Sequence, residues 1–168
     1  AKGLYKTEIR GAENIPENGG FIICANHVSK IDFLFISLAL SKERYMKLCC
    51  MAKKELFRND PFSRKLIKSA GMVPVDRGGM NSSSMENIKK RLKENWGVII
   101  HPEGTRSEDG VFRKIKNGAS TLAIETGAPI IPAYVDGAYN IFPKSGKMPK
   151  FYDWKHNKKL SLIHNARS

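Results

Sequence analysis

A chain of 168 residues has the length of one domain and enough material to bury a single substantial core. With 41% hydrophobic and 27% charged residues it falls among folded globular sequences, which excludes an intrinsically disordered segment. Its 29 Lys and Arg against 16 Asp and Glu leave +13, more than a small domain needs for solubility, so the surface suits polyanions. Nucleic acid, anionic lipid headgroups and phosphorylated small molecules are the three candidates. Nucleic acid is set aside, because no zinc-finger or RNA-stacking motif is present and Phe33 and Phe35 sit in an apolar run.

In chain order, the turn residues Asn18-Gly19-Gly20 precede Phe21 to Ala25, a short strand-like run. Ile31 to Leu40 is apolar on all faces, which suits a short helix that is buried or pressed against lipid. Tyr45 to Met51 and Gly71 to Val75 are strand-like, with a helix expected over Pro61 to Ser69. Ser83 and Glu86 have capping-box spacing, Met85, Ile88 and Leu92 mark one helical face, and Gly97 is expected to end that helix. Val98 to Ile100 then reads as a buried strand, Asn117 to Thr126 as a helix closed by Gly127, and Pro129 to Val135 as the next strand. Strands alternating with helices predict an α/β fold around a mostly parallel or mixed sheet flanked by helices, with function at the carboxyl ends of the strands.

The region from Ile141 to Ser168 differs from the core of about 15–140: it carries seven basic residues and one acidic one, Asp153. Phe142, Phe151, Tyr152 and Trp154 are interleaved with those charges, which suits either an anionic membrane interface or an ordinary loop region with a final strand near Leu160 to Ile163. The longest apolar run, Phe33 to Leu40, broken only by Ser37, is far short of the roughly 18 to 20 residues a spanning helix needs. The N-terminus, with Lys2, Lys6, Glu8 and Arg10, does not resemble a signal peptide. Cys24, Cys49 and Cys50 lack C-x-x-C spacing and read as reduced core residues of a cytosolic setting. No two histidines have ligand-like spacing, so no metal is expected.

Three polar blocks fall just past strands. In Asn26 to Asp32, five positions separate His27 from Asp32, and on one continuous helix their side chains would diverge. They meet if His27 lies in the strand-to-helix loop and Asp32 in the first helical turn, where a carboxylate also suits the helix dipole. Such a carboxylate holds one imidazole nitrogen protonated and leaves the other as a proton acceptor. Ser29 is not in a nucleophile elbow, so the base is expected to act on a hydroxyl brought by the substrate, which attacks an acyl carbonyl. On its own the pair reads more readily as a histidine satisfied by a local carboxylate than as a catalytic base. The block His101 to Ser107 gathers Glu103, Thr105, Arg106 and Ser107 in a turn tightened by Pro102 and Gly104, which suits either a phosphate site or a surface turn with Glu103 and Arg106 paired. Gly71 to Arg77 delivers a second arginine, Arg77, past another strand.

Four blocks together resemble the glycerolipid acyltransferases exemplified by 1-acyl-sn-glycerol-3-phosphate acyltransferase. Asn26 to Asp32 is similar to the family's N-H-x4-D block, Gly71 to Arg77 to its block ending in V-D-R, His101 to Ser107 to F-P-E-G-T-R-S, and Gly127 to Pro132 to its proline-containing block. The resemblance covers about residues 20–135 and implies a glycerol-3-phosphate acyltransferase-like fold. It implies that His27 deprotonates the free glycerol hydroxyl and that Asp32 orients His27. Arg77 would bind the acceptor's phosphate, Glu103, Gly104, Thr105 and Arg106 would shape that pocket, and Pro132 would line or support the acyl-donor side. It further implies lysophosphatidic acid as acceptor and acyl-CoA or acyl-carrier protein as donor. No cofactor, metal or covalent acyl-enzyme is implied, and the place of work is the cytoplasmic face of an anionic membrane, held peripherally.

Two departures bear on these expectations. His101 stands where the family usually has Phe, either tuning the pocket or replacing Phe conservatively at a strand end. Relatives commonly carry a hydrophobic segment before this region and a further strand and helix after it, so the sequence reads as an excised catalytic domain. Rival readings are a remodelling acyltransferase for another lysophospholipid, a non-catalytic lipid-surface module, and a thioesterase. The His27–Asp32 pair argues against a module, and the two arginines argue against a thioesterase.

Overall fold

The computed structural model describes residues 7–53, 72–75, 82–146 and 160–162. Strand β1, Thr7–Ile9, leads to a single 3-10 turn at Ala12–Asn14, and β2, Phe21–Ala25, follows as its apolar run predicts. Helix α1 spans Asp32–Ser37 and α2 spans Lys42–Met46, before β3 at Leu48–Lys53 and β4 at Val73–Val75. Helix α3 is Ser82–Lys93, β5 Gly97–Ile100, α4 Gly118–Thr126, β6 Ile130–Ala133, α5 Ala138–Ile141 and β7 Leu160–Leu162.

Five strands form one sheet in the order β4-β3-β5-β2-β6, and β1 pairs with β7 in a separate ladder. Every described pairing is parallel, with Cys24 of β2 opposite both Ile100 of β5 and Pro132 of β6. The two-residue strand period splits the core into two layers. Phe21, Ile23, Ala25, Ile99, Ile131 and Ala133 pack with Phe35 and Ile36 of α1 and with Ala138 and Ile141 of α5. Ile22, Cys49, Val98 and Ile100 pack with Ile88 and Leu92 of α3 and with Ala119 and Leu122 of α4. No helix among the described residues is long and apolar enough to cross a membrane.

Several expectations are corrected. Tyr45 and Met46 are helical because Ser41 caps α2, its hydroxyl accepting from the Arg44 amide at 3.3 Å. The buried Arg44 guanidinium then donates to the carbonyls of Gly19 and Asn95 and lies over the Phe21 ring. The strand therefore starts only at Leu48, and Tyr45 and Met46 face solvent. Helix α3 already includes Ser82, so Ser83 lies within it rather than at its cap. Asn95, at φ 65°, turns the chain out of α3, and Gly97 opens β5 instead of closing the helix. Gly97 has a packing reason: a Cβ there would sit 2.4 Å from the Phe21 ring. The expected helix over Pro61 to Ser69, and Gly71, Arg77, Phe151, Tyr152 and Trp154, lie outside the described residues.

The helix closed by Gly127, which adopts φ 70°, and the strand at Leu160–Leu162 follow expectation. All three cysteines are free thiols, and burial pushes them up, Cys24 and Cys49 to about 11 and Cys50 to about 12. They stay protonated at neutral pH and act as small apolar groups.

Candidate active site

The chain leaves β2 at Ala25 and enters α1 at Asp32, and the loop between them carries the site. Asn26 fixes the strand end: its side-chain amide donates to the Val135 carbonyl at 2.9 Å, and its oxygen accepts from the Val135 amide at 2.7 Å. Beyond it, the carboxylate of Asp32 reaches back from the first turn of α1. One oxygen, Oδ2, accepts from the amides of Val28 and Ser29 at 2.9 Å each and meets His27 Nδ1 at 2.8 Å. An ionised carboxylate is acceptor-only, so Nδ1 carries the proton and Nε2 keeps its lone pair. Asp32 is 1% exposed and the His27 side chain 25%, so the orienting group is sealed while the ring reaches the surface.

Both ends of the His27 backbone are gripped by the loop after β5. The His27 amide donates to Glu103 Oε1 at 2.7 Å, and the His27 carbonyl accepts from the Ser107 amide at 2.7 Å. The second Glu103 oxygen accepts from the Arg113 amide at 2.9 Å. Glu103 is thus buried and occupied by backbone donors, neither paired with Arg106 nor open to a ligand phosphate. Gly104, at φ 71°, makes the turn that turns Glu103 inward, its amide donating to the His101 carbonyl. Thr105 is exposed, whereas Arg106 is half-buried with its charge felt at both His27 and Asp32. Pro132 is exposed on edge strand β6, where the missing N–H is tolerated, in register with Cys24.

Two further residues take their places only in three dimensions, His101, which the sequence marks as a departure, and Lys116, which it does not. The ring of His101 stacks on His27 with centroids 3.9 Å apart and planes 8° from parallel, and its Nδ1–H donates to the carbonyls of Ala25 and Asn26. Lys116 returns over the loop, its amide donating to the Pro102 carbonyl and its ammonium lying beside Gly104. Ser29 is no nucleophile for His27, because it is buried and its hydroxyl donates to the Phe142 carbonyl.

Burial dominates the electrostatics. It drives His27 down to about 3, helped by the Arg106 charge, and His101 down to about 4, helped by His27. Burial raises Asp32 to about 6 against the Ser29 and Val28 amides, His101 and Arg106, and its Oδ1 accepts no hydrogen bond from a described residue. At neutral pH Asp32 is therefore a carboxylate, and His27 and His101 are neutral imidazoles. His27, Asp32 and His101 are the one trio of metal-ligand type among the described residues, their candidate atoms lying within 4.8 Å of one another. Both imidazole Nδ1 atoms are committed, and lone pairs in two near-parallel ring planes do not converge on one ion. The geometry is that of an oriented base.

A pH dependence of stability follows. The unfolded histidines bind protons near 6.5 but the folded ones only near 3 and 4, so both contribute stability that is lost as pH falls. Asp32 acts oppositely, because its raised folded value of about 6 favours the native state as pH falls from there toward 3.8. Two protons against one leave a net loss of stability as pH falls between roughly pH 6 and 4, on the order of 1 kcal/mol per pH unit. Thermal melts across that range are expected to show the slope, and His101→Phe, which keeps an aromatic face but removes one buried imidazole, is expected to flatten it. A variant with the full slope would remove His101 from the balance.

The comparisons with known proteins bear on what this oriented base belongs to. The family profile described as Acyltransferase matches residues 6–136. This chain belongs to the acyltransferase family. It is 34% identical over 140 residues to the 1-acyl-sn-glycerol-3-phosphate acyltransferase of Bacillus subtilis, covering 83% of this chain and 65% of that protein. The enzyme of the same description from Borreliella burgdorferi is 30% identical over 142 residues, covering 83% of this chain and 55% of the other. Among solved structures, the 1-acyl-sn-glycerophosphate (LPA) acyltransferase of Thermotoga maritima superposes with a TM-score of 0.72 at 28% identity, over 95% of this chain and 60% of that one. This acyltransferase chain thus spans about two thirds or less of the length of these relatives. The parallel sheet flanked by helices is the fold that the resemblance of its four blocks implies.

Proposed function

We propose that this chain moves a fatty acyl group from a thioester donor, acyl-CoA or acyl-carrier protein, to the sn-2 hydroxyl of 1-acyl-sn-glycerol-3-phosphate, giving phosphatidic acid. The carrying observation is His27, held in its Nδ1–H tautomer by Asp32 and clamped through its backbone by Glu103 and Ser107, while the hydroxyl of neighbouring Ser29 is committed to the Phe142 carbonyl. Nε2 takes the proton of the acceptor's hydroxyl as its oxygen attacks the thioester carbonyl. The new C–O ester bond forms, the C–S bond breaks, and the proton passes to the departing thiolate. The buried Asp32 carboxylate stabilises the imidazolium that exists between those two steps.

Arg106 is assigned to the acceptor's phosphate, and Arg77 is assigned beside it from the sequence block that carries it. Pro132 is kept as part of the acyl-donor side. The protein works peripherally on the cytoplasmic face of an anionic membrane and needs no cofactor beyond the thioester itself. The test is a transfer assay offering lysophosphatidate and other lysophospholipids with acyl-CoA and acyl-carrier protein in parallel. Transfer to lysophosphatidate above the others is expected, and transfer to water alone would replace this reading with a thioesterase. Arg106→Ala is expected to raise the acceptor's KM by about 10- to 100-fold, the loss of one charged hydrogen bond, with kcat changed less. An unchanged KM would remove Arg106 from the phosphate site.

A further inference from the structure

The segment that follows the catalytic loop has an unusual surface. All seven residues of 111–117 are exposed, and three of them are apolar: Val111 at 63%, Phe112 at 53% and Ile115 at 60%. Between and after those apolar side chains stand Arg113, Lys114 and Lys116, and the stretch contains no acidic residue. Soluble surfaces tolerate single exposed apolar residues, but a run of apolar and cationic side chains on one exposed loop suits a partner with both characters.

The loop is fastened to the site. Its Arg113 amide donates to Glu103, whose other oxygen holds the His27 amide, and its Lys116 amide donates to Pro102. Phe112 stacks on Tyr134, at the carboxyl end of β6, with centroids 6.1 Å apart, and Tyr134 is itself 42% exposed. The apolar tips therefore stand at the carboxyl edge of the sheet, the same edge from which His27 emerges after β2.

We propose that the loop from Val111 to Lys116 is the element that inserts this chain into an anionic bilayer, so that the carboxyl edge of the sheet carrying His27 faces the membrane plane. Val111, Phe112 and Ile115 enter the boundary between headgroups and acyl chains, with Tyr134 at headgroup level. The cations of Lys114 and Lys116 meet anionic headgroups there, whereas the Arg113 guanidinium lies 3.9 Å from the Glu108 carboxylate. A loop with every residue exposed and apolar side chains interleaved with cations fits the mixed apolar and anionic boundary of a bilayer. The net charge of +13 supplies the long-range attraction. This deepens the acyltransferase reading, because an acceptor held in a bilayer must reach His27 without crossing water.

The test is co-sedimentation of the full chain with vesicles of phosphatidylcholine alone or mixed with phosphatidylglycerol, beside transfer assays on a bilayer-embedded and a short-chain soluble acceptor. Wild type is expected to sediment with the anionic vesicles. Phe112→Ser/Ile115→Ser should bind them at least about tenfold more weakly while keeping its activity on the soluble acceptor. Because Phe112 touches Tyr134, Ile115→Asp alone serves as a second variant that leaves that contact in place. Undiminished vesicle binding by both variants would overturn the proposal, as would failure of wild type to bind. Loss of carrier-protein-dependent transfer with vesicle binding intact would overturn it too, in favour of a carrier-docking loop. If wild type binds vesicles through this loop but transfers no acyl group, the insertion stands and the acyltransferase reading falls.

Discussion

His27→Ala is expected to lower kcat for acyl transfer at least about 10³-fold while the acceptor still binds and the melting temperature hardly moves. The chemical part of that expectation rests on Nε2, the proton acceptor that the hydrogen bonding leaves available on the His27 ring. The structural part rests on Asp32, which keeps the Val28 and Ser29 amides without the imidazole, so the turn into α1 survives. Asp32→Asn should cost about 10³- to 10⁴-fold for a different reason. It removes the charge facing the nascent imidazolium and weakens the preference for the Nδ1–H tautomer. Steady-state turnover at saturating acceptor, run beside thermal melts, checks both. Wild-type turnover in His27→Ala would end the mechanism.

Glu103→Ala is expected to damage fold and turnover together. Its two oxygens accept from two backbone amides, those of His27 and Arg113, in a buried setting, and truncation leaves both donors unpaired. The loss should be about 2 to 4 kcal/mol, since charged hydrogen bonds are involved and orphaned buried donors carry their own penalty. For a chain of this length that is a fall of about 5 to 15 °C in Tm. With the clamp gone, His27 loses its position relative to the acceptor, so kcat falls even well below the new Tm. Glu103→Gln separates the two effects: an amide presents one acceptor oxygen and one donor nitrogen, so it satisfies only one of the two amides. It should fall between wild type and alanine in Tm. A stable, fully active Glu103→Ala would show that the loop after β5 holds His27 without this carboxylate.

The sequence determined the kind of fold and the pairing at the centre of the site. The strand at Phe21–Ala25 and the helix closed by Gly127 are written in apolar runs and a left-handed glycine, signals that act over a few residues. The meeting of His27 and Asp32 was legible for the same reason, because five positions along a loop entering a helix leave few ways for them to lie. Local signals failed where distant contacts overrule propensity. Tyr45 and Met46 look like strand residues but are helical, because Ser41 caps α2 and the distant carbonyls of Gly19 and Asn95 anchor Arg44 within it. Gly97 looks like a helix stop but exists to clear the Phe21 ring.

Tertiary structure alone decided how the blocks divide their labour. Glu103 reads in the sequence as a pocket residue, yet parallel pairing of β2 with β5 puts the loop after β5 beside the loop after β2, and its carboxylate becomes the clamp on the His27 backbone. The same pairing lays His101 on His27, although 74 positions separate them in the chain. Composition carried the +13 but not where the apolar and basic residues of 111–116 would stand. Chain order specifies residue types and short-range geometry, whereas which loops share the carboxyl edge of a sheet depends on strand order, and strand order is settled by burial across the whole chain.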